Sequence, residues 1–144
     1  MGATPASRDG GREGRPMPFR PAAAMAALAV VAAALPARAD PAPYTDAAFE
    51  AALAAGRPIL VAVSAPWCPI CKAQKPILAK LAADPRFRDL LVLDIDFDTR
   101  KEAMRRFEAR SQSTLIVFKG GREVGRSVGE TQPEWIEGLL EKAL

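Results

Sequence analysis

The two cysteines of the chain, Cys68 and Cys71, are separated by two residues. They stand where an unbroken apolar run, residues 59–63, gives way to a segment whose apolar side chains have helical spacing. The run contains several β-branched residues, which is typical of a strand buried on both faces. The sequence therefore predicts a strand-to-helix junction, with Cys68 at the helix start and Cys71 one turn inside.

This placement predicts that the cysteine pair takes part in disulfide exchange. A helix N-terminus presents free N–H groups and the positive end of the helix dipole, and both favour a thiolate. An exposed Cys68 would attack a disulfide, and Cys71 would then resolve the mixed disulfide. A purely structural disulfide is disfavoured, because so small a ring removes little entropy from the unfolded chain. Thiolate-based metal binding or delivery remains the alternative, with two chains supplying four ligands.

Composition excludes several classes of catalytic and metal site. The chain has no histidine, which excludes Ser-His-Asp triads, Cys-His nucleophiles, His-ligated zinc and axial-His haem. The net charge of +3 comes from residues 1–39, where five arginines face only Asp9 and Glu13. The remainder is neutral and gives no electrostatic footprint for nucleic acid. We expect neither a cofactor nor a metal within one chain.

The first 39 residues contain a segment that resembles a secretory signal peptide. Arg20 precedes an uncharged, alanine-rich run over residues 22–35, and an A-x-A ending follows at residues 37–39. As a helix the run would span about 21 Å, short of a hydrocarbon core of about 30 Å. We therefore expect cleavage after Ala39 and a periplasmic domain over residues 40–144, with an uncleaved anchor less favoured. Met17 is an alternative start that gives a signal of ordinary length.

Residues 40–144 predict an α/β domain with a mixed four-stranded central sheet flanked by helices, in the order α-β-α-β-α-β-β-α. Residues 41–43 are interpreted as a linker, and Thr45 as the cap of the first helix. Two capping-box patterns begin at Thr99 and Thr131. The last helix is expected to bury an apolar face. That face consists of Trp135, Ile136, Leu139 and Leu140. The remaining elements are strands over residues 90–97, 114–118 and 123–128, a kinked helix over residues 71–83, and a Gly120-Gly121 hairpin.

Over nearly all of this domain the chain resembles the thioredoxin family. The matched blocks are Ile59-Leu-Val61, Trp67-Cys68, Cys71-Lys72, Pro76-Ile77-Leu78, Thr114-Leu-Ile-Val-Phe-Lys-x-Gly121, Glu123-Val124 and Gly129. The resemblance implies a thioredoxin-like fold and a thiol–disulfide oxidoreductase, with Cys68 attacking and Cys71 resolving. It also implies substrate contacts around the motif and the loop that faces it. We expect these from Trp67, Pro69, Ile70, Ser113 and Thr114.

Four positions depart from the family pattern. Ser113 stands where the family usually has a cis-proline, so we expect a trans bond before it, or a strained cis one; the alternative is a tolerated loop residue. Ala62 replaces a buried acid that takes part in proton transfer, which predicts slower resolution or a different pH dependence. Ser64 replaces a tryptophan. Pro69-Ile70 replaces Gly-Pro between the cysteines and should alter the redox potential.

The expected partners are proteins that carry cysteine thiols or disulfides, together with a membrane redox partner. A proline after the first cysteine, here Pro69, resembles the motif of the periplasmic disulfide oxidases. The helical insertion of those enzymes is absent from the predicted domain, which favours a reductant. We expect a monomer. Acids alternate along the second predicted strand at Asp94, Asp96 and Asp98, and a solvated edge is favoured over a weak cation site.

Overall fold

A computed structural model describes residues 41–144, so the predicted signal segment lies outside the described residues. The elements are β1 (Ala42–Pro43), α1 (Asp46–Ala54), β2 (Ile59–Ser64), α2 (Pro69–Ala82), β3 (Leu91–Asp96), α3 (Lys101–Arg106), β4 (Thr114–Lys119), β5 (Arg122–Val128) and α4 (Pro133–Glu141), with a 3₁₀ turn over Pro85–Phe87. The main elements agree with the predicted order, and α2 continues through Pro76.

The sheet has five strands in the order β1-β3-β2-β4-β5. β2 pairs in parallel with β3 and the β4–β5 hairpin is antiparallel, as the pattern predicts. β4 is also antiparallel to β2, which corrects the expectation that strands separated by helices run parallel. The fifth strand corrects two expectations, the four-stranded sheet and the linker over residues 41–43. Ala42 and Pro43 pair in parallel with Leu93 and Asp94. A proline is tolerated there because β1 is an edge strand.

Alternation along β2 creates a core on each side of the sheet. Val61 and Val63 belong to a cluster that packs against α1 and α3. Leu60 and Ala62 belong to the cluster that packs against α2 and α4. A strand buried on both faces needs apolar residues at every position, which explains the unbroken run in the sequence.

The helix caps show which local signals operate. Thr45 caps α1, and its hydroxyl accepts a hydrogen bond from the Ala48 backbone N–H at 3.1 Å. The capping box predicted at Thr99 is wrong, because the Thr99 hydroxyl donates to Asp96 at 2.8 Å and α3 begins after Arg100.

The capping box predicted at Thr131 is also wrong, because α4 begins after Gln132 without a side-chain cap. The Glu130 carboxylate instead accepts from the backbone N–H groups of Thr131 and Gln132, at 2.9 and 2.8 Å.

Trp135 corrects the predicted face of α4. Ile136, Leu139 and Leu140 are buried against the sheet, whereas Trp135 is 66% exposed. Residues three and four apart share a helix face, and Trp135 is four residues from Leu139 but points beyond the edge of the buried stripe. The buried face is narrower than the hydrophobic pattern of the sequence.

Candidate active site

The cysteine pair occupies the start of α2, immediately beyond β2. Cys68 is the N-cap residue, and its Sγ accepts a hydrogen bond from the Cys71 backbone N–H at 3.1 Å. The two cysteines form a disulfide, with their Cα atoms 5.3 Å apart. Pro69 fits the first helical turn, where its missing N–H would have no helical partner. The predicted strand-to-helix junction is confirmed.

Both cysteines are buried in this oxidised state. Cys68 is 1% exposed and Cys71 is 2% exposed, and they pack with Ala65 and Phe97. The expectation of an exposed Cys68 is therefore wrong for the disulfide form. The sulfur of an N-cap cysteine turns towards the helix backbone, and here that geometry places it against the residues that follow β2 and β3.

Two large side chains of the motif are exposed beside the buried disulfide. Trp67 is 54% exposed, packs edge-to-face on Phe97 with ring centroids 6.1 Å apart, and donates from Nε1 to Asp98 at 2.8 Å. Ile70 is 40% exposed. Gly129, after β5, adjoins it, because a Cβ built there would lie 4.0 Å from Ile70 Cδ1. The exposed motif residues thus form an apolar rim that continues towards the loop after β5.

Ser113, immediately before β4, has an unusual backbone conformation. Its φ of +58° lies in the left-handed region, which non-glycine residues seldom adopt. The Ser113 N–H donates to the Val63 carbonyl at 2.8 Å, and its own carbonyl accepts from Gly129 N–H at 3.0 Å. Its hydroxyl donates to the Gln112 carbonyl at 2.6 Å. Both backbone polar groups of Ser113 are therefore engaged within the protein.

Thr114 lies next to Ser113 and is also buried. Its hydroxyl donates to the Ser111 carbonyl at 2.7 Å. The hydroxyls of Ser113 and Thr114 therefore stabilise the loop in this structure, and a substrate-binding role for these two residues stays a prediction.

Gln74 is a site residue that the sequence pattern does not single out. It is 3% exposed, and its Nε2 donates to the carbonyls of Ser113 at 3.3 Å and Glu130 at 2.8 Å. One amide therefore ties α2 to the loops before β4 and after β5. The sequence does contain a signal for this role. Gln74 is a polar residue three positions after Cys71, on the helix face that also carries Leu78.

Two of the positions that depart from the family pattern, Ala62 and Ser64, line a space that Cys71 also lines. Ala62 on β2 pairs with Asp94 on β3. Ser64, two residues along the same face, donates from its hydroxyl to the Asp94 carboxylate at 3.0 Å. The structure thus places a carboxylate on β3, beside the β2 position where the family has its buried acid. Asp98 instead bonds Trp67, and Asp96 holds the turn before α3, so the three acids do not share one function.

Within residues 41–144, no cluster of three or more Cys, Asp or Glu side chains is arranged to hold a metal ion. Over the same range, no helix has both the length and the apolar character needed to cross a membrane.

A cysteine pair at the start of the helix that follows a central strand of a mixed sheet defines a class of thiol–disulfide oxidoreductases. The family model described as Thioredoxin matches residues 40–142. This chain belongs to the thioredoxin family, whose members act on the thiols or disulfides of proteins.

Individual relatives agree with this assignment. The thioredoxin of Mycobacterium tuberculosis is 43% identical over 86 residues, covering 59% of this chain and 73% of the relative. The thioredoxin of Alicyclobacillus acidocaldarius is 34% identical over 100 residues, covering 69% and 94%. The crystal structure of Trxlp from Edwardsiella tarda EIB202 superposes with a TM-score of 0.67 at 50% identity, covering 68% of this chain and 95% of that one.

Proposed function

We propose that this protein is an exported thiol–disulfide oxidoreductase that exchanges disulfides with protein substrates through Cys68-Pro69-Ile70-Cys71 and acts as a reductant. The observation that carries the proposal is the position of Cys68 as the N-cap of α2, bonded to the backbone N–H of Cys71. A free N–H aimed at sulfur stabilises the thiolate that is both nucleophile and leaving group.

The exchange takes place in two steps. In the first, the Cys68 thiolate attacks a substrate disulfide, a Cys68–substrate bond forms, and one substrate sulfur leaves as a thiolate. In the second, Cys71 attacks Cys68 Sγ, the intramolecular disulfide forms, and the second substrate sulfur leaves. Two electrons pass from the cysteine pair to the substrate, which is why the oxidised state then needs a donor.

Substrate access follows from the surface around the disulfide. The exposed side chains of Trp67 and Ile70 flank the buried Cys68 and offer an apolar contact area. Pro69 lies between them on the same exposed turn. A substrate that binds this rim brings its sulfur to the start of α2, where a small opening of the turn exposes Cys68.

Trapping the first intermediate tests this order of attack. We expect the Cys71→Ser variant, incubated with oxidised glutathione, to stop as a mixed disulfide on Cys68. The Cys68→Ser variant is the matched control and should form far less adduct, because Cys71 lies one turn inside the helix and lacks the N-cap position that stabilises a Cys68 thiolate. Equal adduct on both variants would contradict the assigned roles.

Export into a periplasm is the second part of the proposal. It is supported by the arginine, apolar run and A-x-A ending of residues 20–39. An oxidising compartment would convert the pair to its disulfide, so a reductant there needs electrons from a membrane partner. Expression with the native N-terminus in a Gram-negative host, followed by fractionation and N-terminal sequencing, tests export. Asp40 as the first residue of a periplasmic product is expected, and an uncleaved cytosolic product would contradict it.

A further inference from the structure

A cavity of about 600 Å³ lies between α2 and the sheet, directly beneath Cys71. One face of α2 lines it, including Cys71, Gln74 and Leu78. The facing strand β2 contributes Ala62 and Ser64, two small side chains on the same side of the strand. The space exists because these two residues do not fill the gap between the strand and the helix.

Asp94 supplies a carboxylate to the same cavity. It lies on β3 in register with Ala62, and it is neither fully buried nor fully exposed. The Ser64 hydroxyl donates to Asp94 Oδ2 at 3.0 Å. One oxygen of the carboxylate is therefore held by β2.

The other charged groups that line the cavity either make hydrogen bonds of their own or carry a positive charge. The Asp96 carboxylate accepts from Thr99 and from the backbone N–H of Asp98. Arg100 donates to the Tyr44 carbonyl at 3.0 Å. Lys75 on α2 is a cation and accepts no proton in its charged form.

Tyr44 also lines the cavity, and its hydroxyl donates to Asp46. Burial, reinforced by this hydrogen bond, raises the pKa of Tyr44 to about 12. The phenol therefore stays protonated through the neutral range. Asp94 is the group best placed among those lining the cavity to take up a proton.

We propose that Asp94 is the proton acceptor for Cys71 during resolution, working through water in this cavity, with Ser64 positioning its carboxylate. The inference rests on the proposed function. The Cys71 thiol gives its proton to water and thence to Asp94, and the thiolate attacks Cys68 Sγ. The bond between the two cysteine sulfurs forms, the bond from Cys68 to the substrate breaks, and the electron pair leaves on the substrate sulfur. That thiolate takes a proton from solvent, and Asp94 returns its proton through the open cavity.

The test follows the mixed disulfide formed when the reduced full-length chain reacts with oxidised glutathione. Acid quenching and mass spectrometry measure its decay across pH. We expect Asp94→Asn to slow the decay at least about tenfold near neutral pH and to change its dependence on pH, since general acid–base contributions reach about 10²–10⁴-fold. Asp94→Glu should keep the wild-type pH profile, and Ser64→Ala should change it.

Two controls separate this inference from a general loss of charge or fold. Asp89→Asn makes the same substitution at a side chain that is 77% exposed and away from the cavity, and it should decay like the wild type. Adding Ala62→Asp to Asp94→Asn places a carboxylate at the paired position on β2 and should restore the rate of decay.

The outcomes distinguish the two proposals. If no mixed disulfide forms even in Cys71→Ser, the proposed function fails. If it forms and Asp94→Asn decays at the wild-type rate with the wild-type pH profile, the role of Asp94 is overturned and the function stands.

Discussion

At the scale of single residues, Ser113 is held in a backbone conformation that its own side chain does not favour. Its φ of +58° lies in the left-handed region, for which serine has no particular preference. The conformation is imposed by the bonds that the Ser113 backbone makes to Val63 and Gly129.

This geometry predicts that a proline is now a poor residue at the position. Proline fixes φ near −65° and has no N–H, so Ser113→Pro loses the 2.8 Å bond to the Val63 carbonyl and cannot adopt the observed φ. We expect a loss of more than about 1 kcal/mol in the free energy of unfolding, measured in urea. Ser113→Ala keeps the N–H and should cost less. A Ser113→Pro protein as stable as wild type would contradict this account of the loop.

At the scale of elements, helices and strands with strong periodicity were predictable, and their ends were less so. The strand β2, the hairpin at Gly120 and Gly121, and the cap at Thr45 follow from local chemistry and are confirmed. The capping boxes failed because a neighbouring acid competed for the same groups. Around Thr99 the competitor is Asp96, and around Thr131 it is Glu130.

The turn between β3 and α3 gives a pH-dependent prediction. The Thr99 hydroxyl and then the backbone N–H groups of Thr99 and Asp98 hold the pKa of Asp96 below its ordinary value of 3.8. A carboxyl whose pKa is lower in the folded state stabilises the fold above its unfolded pKa, and this contribution is lost as the pH falls through the folded value.

We therefore expect Asp96→Asn to be less stable than wild type at pH 7, with the difference shrinking below about pH 4. Urea unfolding at several pH values measures it. Asp89→Asn, a neutralisation at an exposed site, provides the baseline. A difference for Asp96→Asn that is unchanged between pH 7 and pH 2 would show that the carboxylate does not stabilise the turn.

At the scale of the whole molecule, the two-sided sheet was predictable and its edge was not. Alternating apolar and helical segments indicate a mixed sheet covered on both faces, which the structure confirms. The two-residue strand β1 is too short for any periodicity, and its pairing with β3 is a tertiary contact. The cavity beneath Cys71 arises in the same way, because it requires Ala62, Ser64 and α2 to face one another in three dimensions.

The packing of α4 on the sheet separates true core residues from apolar residues of the helix surface. Ile136 is fully buried, so Ile136→Ala should lower the free energy of unfolding by about 2–5 kcal/mol. Trp135 is 66% exposed, so Trp135→Gln should change it by no more than about 0.5 kcal/mol. Chemical denaturation of both variants measures the contrast. A larger cost at Trp135 than at Ile136 would mean that α4 packs through a different face.

The most direct test of the central claim is a redox equilibrium of the full-length chain. A Trp135→Phe variant leaves Trp67, beside the cysteines, as its one tryptophan. The protein is equilibrated with defined ratios of reduced to oxidised glutathione, and Trp67 fluorescence and thiol trapping report the state of the pair. We expect one reversible two-electron transition, closer to the value of about −270 mV known for thioredoxin than to about −120 mV. A midpoint near −120 mV would contradict the reductant assignment, and the absence of any reversible transition would contradict disulfide exchange itself and favour metal binding by the thiolates.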